Sequence, residues 1–289
     1  MQRSRTGAGL LATLGLSLFV AACARPVMLS PVVPAVRAAT VQTKPVLWAV
    51  PADYYKEAEG LSGDGLLRAL RKRVDGHTDL GYDGGRDVLF ASVDDPTDKD
   101  TIVSVYTGEV ITGVRDRNTA SNKGFNTEHT WPQSLGAEGK AKADLHHLYG
   151  VDMKSNGIRS SFPFGLVVNP LTVLPDLSVP GQASKLGTNA GGERVFEPPD
   201  RHKGNVARAL LYFYTRYAVT QGKGGGPLSM RNWSIEKQVV QQWHKLDPVD
   251  DAERLRNERV FAVQKNRNPY IDRPEFVEQV GGAFLTGAR

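Results

Sequence analysis

Two short stretches of the chain hold residue types that can do chemistry: FNTEHTWPQS (125–134) and ADLHHLYG (143–150). Between them they carry three of the six histidines, His129, His146 and His147, with Glu128 beside the first. Helix or strand propensity does not ask for histidine, so its concentration here calls for a chemical reason. Glutamate next to histidine first suggests zinc. A zincin needs HExxH on a helix and the reversed type needs HxxEH. The residue three before Glu128 is Phe125, so neither spacing is met.

What remains is Glu128-His129, then Asp144-Leu145-His146-His147-Leu148, then Ser155-Asn156. A carboxylate and an asparagine oxygen are hard ligands suited to magnesium, which keeps several waters and needs only one or two protein oxygens beside a substrate phosphate. A neutral imidazole next to such an ion can take a proton from water at neutral pH. These are the parts required for hydrolysis of a phosphodiester.

The elements that must position them follow from local pattern. Asp53 can cap a short helix beginning at Tyr54. Ser62 can cap a second, GDGLLRALRKRV, whose Leu66, Leu67, Leu70 and Val74 share one face and which Gly76 can end. TIVSVYTG (101–108) is β-branched and aromatic and reads as a strand. Residues 109–200 are rich in scattered Gly and Pro and contain all the motifs above. Val206, Leu210, Phe213 and Tyr217 give a helical stripe, and Val239, Val240 and Trp243 suggest another helix. Asp250 with Glu253 resembles a capping box, with Asn268-Pro269 expected to close the helix it opens. Helices at both ends of a loop-dominated β middle argue for an α+β fold, and no internal repeat is visible.

At this point the residues resemble the bacterial endonuclease I family, which belongs to the ββα-metal, or His-Me finger, nucleases. The likeness rests on FNTEHTWPQS, DLHHL, Ser155-Asn156 and Phe162-Pro163-Phe164-Gly165. It extends to YYKEAEGLSG (54–63), SVYTGE (104–109), FEPPDRHKGNVARALLYFY (196–214) and WHKLDPVDDAERLRNERVFAVQKNRNPYID (243–272), covering roughly residues 50–275. The resemblance implies that His129 is the general base and that Glu128 and Asn156 hold a single Mg²⁺, with Mn²⁺ or Ca²⁺ as substitutes. It implies 5′-phosphate products, a finger of two strands, one ending at His129 and one in DLHHLYGVD, and a short helix bearing Asn156.

Two departures stand out. Many family members have arginine before the Glu-His pair, where this chain has Thr127. Some use an arginine between the two motifs to contact phosphate, where this chain offers only Lys140 and Lys142; Arg159, one turn after Asn156, is the better phosphate contact. Adjacent strand residues face opposite ways, so at most one of His146 and His147 can look into the site. His146 is the expected second-shell or phosphate-contacting residue, and His147 the structural one. Asp144 either orients a histidine or is a solvated carboxylate at a strand start. Trp131 and Pro132 are expected under the site, and Asn266, Asn268 and Tyr270 in a structural turn. Lys123, Arg201, His202 and Lys203 either touch nucleic-acid phosphates or are solvated.

The amino terminus has Arg3 and Arg5, then an apolar run from Leu10 to Val20, then Val20-Ala21-Ala22-Cys23. A spanning helix needs roughly 20 apolar residues, so the run reads as a signal-peptide core, residues 1–22. The tail resembles a bacterial lipobox, making Cys23 the lipidated residue and, with Ala24 after it, pointing to the outer membrane, periplasmic or surface-facing; the alternative is an ordinary secretory signal with a chance cysteine near its cleavage site, and a secreted or periplasmic protein. Residues 23–45 read as an extended Pro-, Ala- and Val-rich tether, and residues 46–289 as one domain. Cys23 is the only cysteine, so the mature chain forms no internal disulfide. The net charge of +5, in a chain with pI about 9.2, is too small to argue by itself for a polyanion partner. The expectation is a monomeric, lipid-anchored, Mg²⁺-dependent and largely sequence-nonspecific endonuclease acting on DNA, with RNA a further candidate and no protein partner. The alternatives are a noncatalytic nucleic-acid-binding lipoprotein of the same fold, or a hydrolase of another phosphodiester.

Overall fold

A computed structural model describes residues 50–218 and 228–286, all within the unit that begins at Leu47. The expected signal, Cys23 and the tether lie outside the described residues. The first element is a short 3₁₀ turn, Lys56–Ala58, preceded by Asp53 at φ 61°. Helix α1 (Gly63–Val74) follows, with Leu66, Leu67, Leu70 and Val74 buried as its spacing predicts. Helix α2 (Tyr82–Val88) runs into a π-turn at Leu89–Val93. Neither was legible in the sequence, because Gly84 and Gly85 interrupt the helical pattern.

The strand expected over 101–108 is only β1 (Thr101–Val103), paired antiparallel with β2 (Val110–Thr112). The chain turns at Ser104 because Ser104 and Thr107 give their hydroxyls to the Asp152 carboxylate at 2.8 and 2.7 Å, and Tyr106 turns into the interior. Helix α3 (Arg117–Asn122) has a reciprocal cap between Asp116 and Thr119. Strands β3 (Phe125–His129) and β4 (Leu148–Asp152) pair antiparallel, Phe125 opposite Asp152 and His129 opposite Leu148, and helix α4 (Met153–Arg159) follows directly.

A two-stranded hairpin is marginal alone and needs a packed face. Here Phe125 and Leu148 join Leu89, Phe90, Val93, Ile102, Leu145 and Val260 in a small core. Gly150 fits because a Cβ there would come within 2.8 Å of Ile102 Cγ2.

A three-stranded antiparallel sheet, β5 (Asn169–Pro175), β6 (Ala183–Thr188) and β7 (Arg194–Glu197), leads to helix α5 (Asp200–Tyr217). α5 is buried almost from end to end and centres the larger core, with Trp131 stacked on Phe213 at 4.9 Å. Helices α6 (Trp233–Glu236), α7 (Val240–Leu246) and α8 (Asp251–Gln264) then close over it. Asp250 caps α8 by accepting from Glu253 N at 2.7 Å. The helix ends at Gln264, where Lys265 takes φ 65°, before Asn268-Pro269 is reached. That pair instead starts α9 (Pro269–Asp272), with proline in its first turn. The described residues form the mixed α+β architecture expected.

Candidate active site

Strand β3 delivers two neighbouring side chains to opposite faces, as its period of two requires. Asn126 and Glu128 share one face and meet α4, whose Asn156 and Arg159 stand one turn apart. Asn156 Nδ2 donates to Asn126 Oδ1 at 2.8 Å and to the Thr127 carbonyl at 3.3 Å; Arg159 Nε lies 3.1 Å from Glu128 Oε1. The start of α4 is fixed by Asp152, which accepts from Ser155 N and Oγ at 2.8 and 2.6 Å. Burial alone would raise the Asp152 pKa, but these bonds and those from Thr107 and Ser104 hold it below the usual value.

Glu128 is 2 % exposed. Burial raises its carboxyl above the ordinary range, against the pull of the Arg159 cation. Its Oε1 is buried with no hydrogen bond among the described residues. Arg159 is turned onto it by two carbonyls, accepting from Nη1 at Ser160 (2.7 Å) and from Nη2 at Thr130 (2.9 Å). Tyr106 borders the same carboxylate, and burial followed by the Glu128 charge pushes its phenol well above its ordinary pKa.

His129 looks the other way. Its Nε2 lies 3.2 Å from the Lys142 carbonyl and so carries the proton; Nδ1 is left as the acceptor, 3.4 Å from Gln133 Nε2. Burial, then the nearby His147, lower its pKa to about 3, so the imidazole is neutral at neutral pH.

The two histidines of the second motif stand differently from expectation. Leu145–His147 is a 3₁₀ turn rather than strand, because Asp144 caps it by accepting from His146 N at 3.1 Å; the strand begins at Leu148. His147, expected to be structural, is the one whose ring lies 5.6 Å from that of His129, and it donates from Nε2 to the Ala141 carbonyl at 2.7 Å. His146 instead donates to the Asn266 carbonyl at 3.2 Å and packs on Tyr212 at 4.5 Å. Asp144 is not solvated: it is buried and accepts from Tyr212, Tyr217 and Gln264 at 2.8, 2.8 and 3.0 Å.

Of the scattered basic residues, Lys123 is exposed, whereas Arg201 pairs with Asp176 and Lys203 with Glu197 and Asp200. His202 is buried between Tyr106 and Tyr149. Thr127 is buried, and Trp131 and Pro132 pack beneath the strand end.

The stretch that holds this strand and helix lies inside a family match. The family model for endonuclease I covers residues 62–275. The chain belongs to the endonuclease I family. An extracellular ribonuclease of Bacillus subtilis is 32 % identical over 237 residues, 78 % of this chain and 77 % of its own. An endonuclease-1 of Buchnera aphidicola from Acyrthosiphon pisum is 28 % identical over 45 % of this chain and 44 % of its own. A periplasmic deoxyribonuclease of Aeromonas hydrophila is 26 % identical over 46 % and 49 %.

The chain is thus a member of a nuclease family that is typically metal-dependent, and its own donors can be tested against that property. Among the described residues no three His, Cys, Asp or Glu side chains gather as a cage would require. The donors of this endonuclease I chain are instead one buried carboxylate oxygen, Glu128 Oε1, which accepts no hydrogen bond and faces the Arg159 cation at 3.1 Å, and Asn156, whose amide nitrogen is committed to Asn126 and Thr127. One carboxylate and one amide oxygen fit a hard, largely hydrated divalent ion. Sequence reasoning missed Asn126, Tyr106, Gln133 and Tyr82. Asn126 could have been found from its place two residues before Glu128 on the same strand face, whereas nothing in the sequence marked Tyr82.

Proposed function

We infer that this endonuclease I chain is an exported, divalent-metal-dependent phosphodiesterase that cuts nucleic acid with little regard to sequence, leaving 5′-phosphate ends. The observation that carries the reading is the single Glu128-His129 strand end, with Glu128 on Arg159 beside Asn156 and His129 on the opposite face, its Nδ1 an acceptor 3.4 Å from Gln133 Nε2. The ββα unit of β3, β4 and α4 is then the His-Me finger.

In the mechanism, the Lys142 carbonyl holds Nε2–H and leaves the Nδ1 lone pair to remove a proton from the attacking water. The proton goes to His129, water oxygen bonds to phosphorus, and the 3′ oxygen leaves. Glu128 and Asn156 would hold a divalent ion whose chemistry, when bound, is Lewis-acid stabilisation of the charge that develops on phosphate and leaving oxygen. Arg159 sets its charge against Glu128; with Nη1 and Nη2 held by the Ser160 and Thr130 carbonyls in the interior, it orients Glu128 rather than contacting the phosphate. His146 holds the carboxy-terminal turn through Asn266 rather than touching substrate.

The ribonucleases match over most of this chain and the deoxyribonucleases over less than half. That favours RNA as a substrate beside DNA. Relatives named extracellular or periplasmic support export; the lipid on Cys23 and the outer-membrane location rest on the sequence reading alone, and unchanged fractionation of Cys23→Ser would remove them. The central test incubates the protein with plasmid and with structured RNA, in Mg²⁺ or EDTA, beside His129→Ala. Cleavage should need the metal and fall roughly 10²–10⁴-fold in the variant. Metal-independent cleavage, or a fully active variant, would refute the assignment.

A further inference from the structure

Around the buried base, three side chains close a circle. Gln133 Nε2 reaches His129 Nδ1 at 3.4 Å and the Tyr82 hydroxyl at 3.5 Å, the two rings lie 5.7 Å apart, and Lys142 carries its Nζ 3.9 Å from the centre of the Tyr82 ring while its carbonyl holds His129 Nε2. His129 is 7 % exposed, whereas Tyr82, Gln133 and Lys142 are each partly exposed. Substrate approaching Nδ1 therefore passes these three.

A second cation shares the ring. The Arg86 guanidinium carbon lies 4.2 Å from its centre, so the two positive charges stand within about 8 Å of each other. That is no more than a Debye length, so they repel. Lys142 has no carboxylate within ion-pair distance among the described residues, and Arg86 has only Asp83 at 2.6 Å, an acid 63 % exposed that also lies 3.5 Å from Arg117. A solvated pair of that kind contributes little and exchanges readily for another anion. Cation–π contacts with one ring fix where both charges point. Charge, position and partial exposure thus converge on an anion at the mouth of the base.

We propose that Lys142 and Arg86, aimed by Tyr82, form a binding site for the backbone phosphate that flanks the one being cleaved. This rests on the nuclease reading and deepens it: the ligand is a nucleic-acid phosphodiester adjacent to the scissile bond, so a substrate with a single phosphate cannot use the site. Tyr82 is a positioning residue that acts through the two cations.

The test has two arms. In the first, a His129→Ala protein binds a fluorescein-labelled single-stranded oligonucleotide in EDTA while salt is varied. Adding Lys142→Gln or Arg86→Gln should each reduce the slope of log affinity against log salt by about one. Lys72→Gln, an equal charge change on α1, should leave the slope alone. Tyr82→Leu should weaken binding in the same direction, and Tyr82→Phe, which keeps the ring, should restore it.

The second arm compares kcat/KM on single-stranded polymer and on bis(4-nitrophenyl) phosphate, in proteins still carrying His129. Lys142→Gln keeps its backbone carbonyl, so the polymer rate should fall about tenfold more than the small-substrate rate. An unchanged salt slope, or equal losses on both substrates, would overturn the site. A wild-type protein that hydrolyses neither would overturn the nuclease reading instead, and the salt slope would still decide the phosphate site.

Discussion

The chain buries two arginine–glutamate pairs to the same depth and builds them differently. Arg208 of α5 meets Glu253 of α8 through two contacts, Nε to Oε1 at 2.7 Å and Nη2 to Oε2 at 2.6 Å, and gives Nη1 to the Asp247 carbonyl at 2.9 Å. Arg159 meets Glu128 through Nε alone, at 3.1 Å and without hydrogen-bond geometry, while its other nitrogens go to carbonyls. Both glutamates are driven up by burial and pulled back by their arginine. The difference lies in closure. The first pair joins two helices through one hydrogen bond and a second close contact; the second pair has no hydrogen bond between its partners.

Removing the arginine from the closed pair should have the largest effect on stability. Arg208→Met leaves Glu253 buried and charged without its counter-ion, which should cost about 3–5 kcal/mol. It also opens the contact at Gly204, where a Cβ would already collide with the Asp247 carbonyl. Arg159→Met removes a contact without hydrogen-bond geometry together with the two bonds to the Ser160 and Thr130 carbonyls, and should cost less, about 2–3 kcal/mol, while abolishing most cleavage. Urea midpoints with rates measured on the same preparations decide this. Equal destabilisation by the two would mean that both pairs are structural.

One buried histidine lies beside Arg208 and another beside His129, and acid should reveal both. His244 Nδ1 accepts from Arg208 Nη1 at 3.2 Å, and His147 packs on His129; burial lowers each pKa to about 4. A free histidine titrates near 6.5. Between about pH 6.5 and 4 the unfolded chain therefore binds more protons than the folded one, so stability is full above that window and is lost as pH falls through it. His147→Phe should remove one proton from the linkage, worth on the order of 3 kcal/mol across the window. Plots of unfolding free energy against pH that run parallel for wild type and variant would show that His147 does not titrate as described.

Much of this was legible in sequence wherever local pattern and tertiary packing agree. The α1 stripe, the α5 stripe and the Asp250 cap all appear where spacing puts them, because one apolar face or one side-chain oxygen decides each. The site's chemistry-bearing residues were legible by type and order. Their facing was not: whether His146 or His147 meets His129 depends on Asp144 turning the chain into a 3₁₀ step, and that depends on tyrosines more than sixty residues away. The three-stranded sheet and α2 were hidden for another reason, since Pro170, Pro175, Gly84 and Gly85 break the periodicities by which strands and helices are recognised.

The smallest effect should come from the other rung of the open region, where Asn126 holds the Asn156 amide at 2.8 Å. Asn126→Ala removes one partly exposed hydrogen bond, so the fold should lose less than about 1.5 kcal/mol. The amide of Asn156 would then give its nitrogen to the Thr127 carbonyl alone, at 3.3 Å, so its oxygen would be held less firmly. Partners that orient a ligand typically change metal affinity by about 10–100-fold when removed. The Mg²⁺ concentration giving half-maximal cleavage should therefore rise at least tenfold, with the rate at saturating Mg²⁺ nearly restored. A variant with unchanged Mg²⁺ dependence would separate Asn156 from the metal and leave Glu128 as the sole protein donor, making the open pair, rather than the two rungs together, the part of the finger that accepts a ligand.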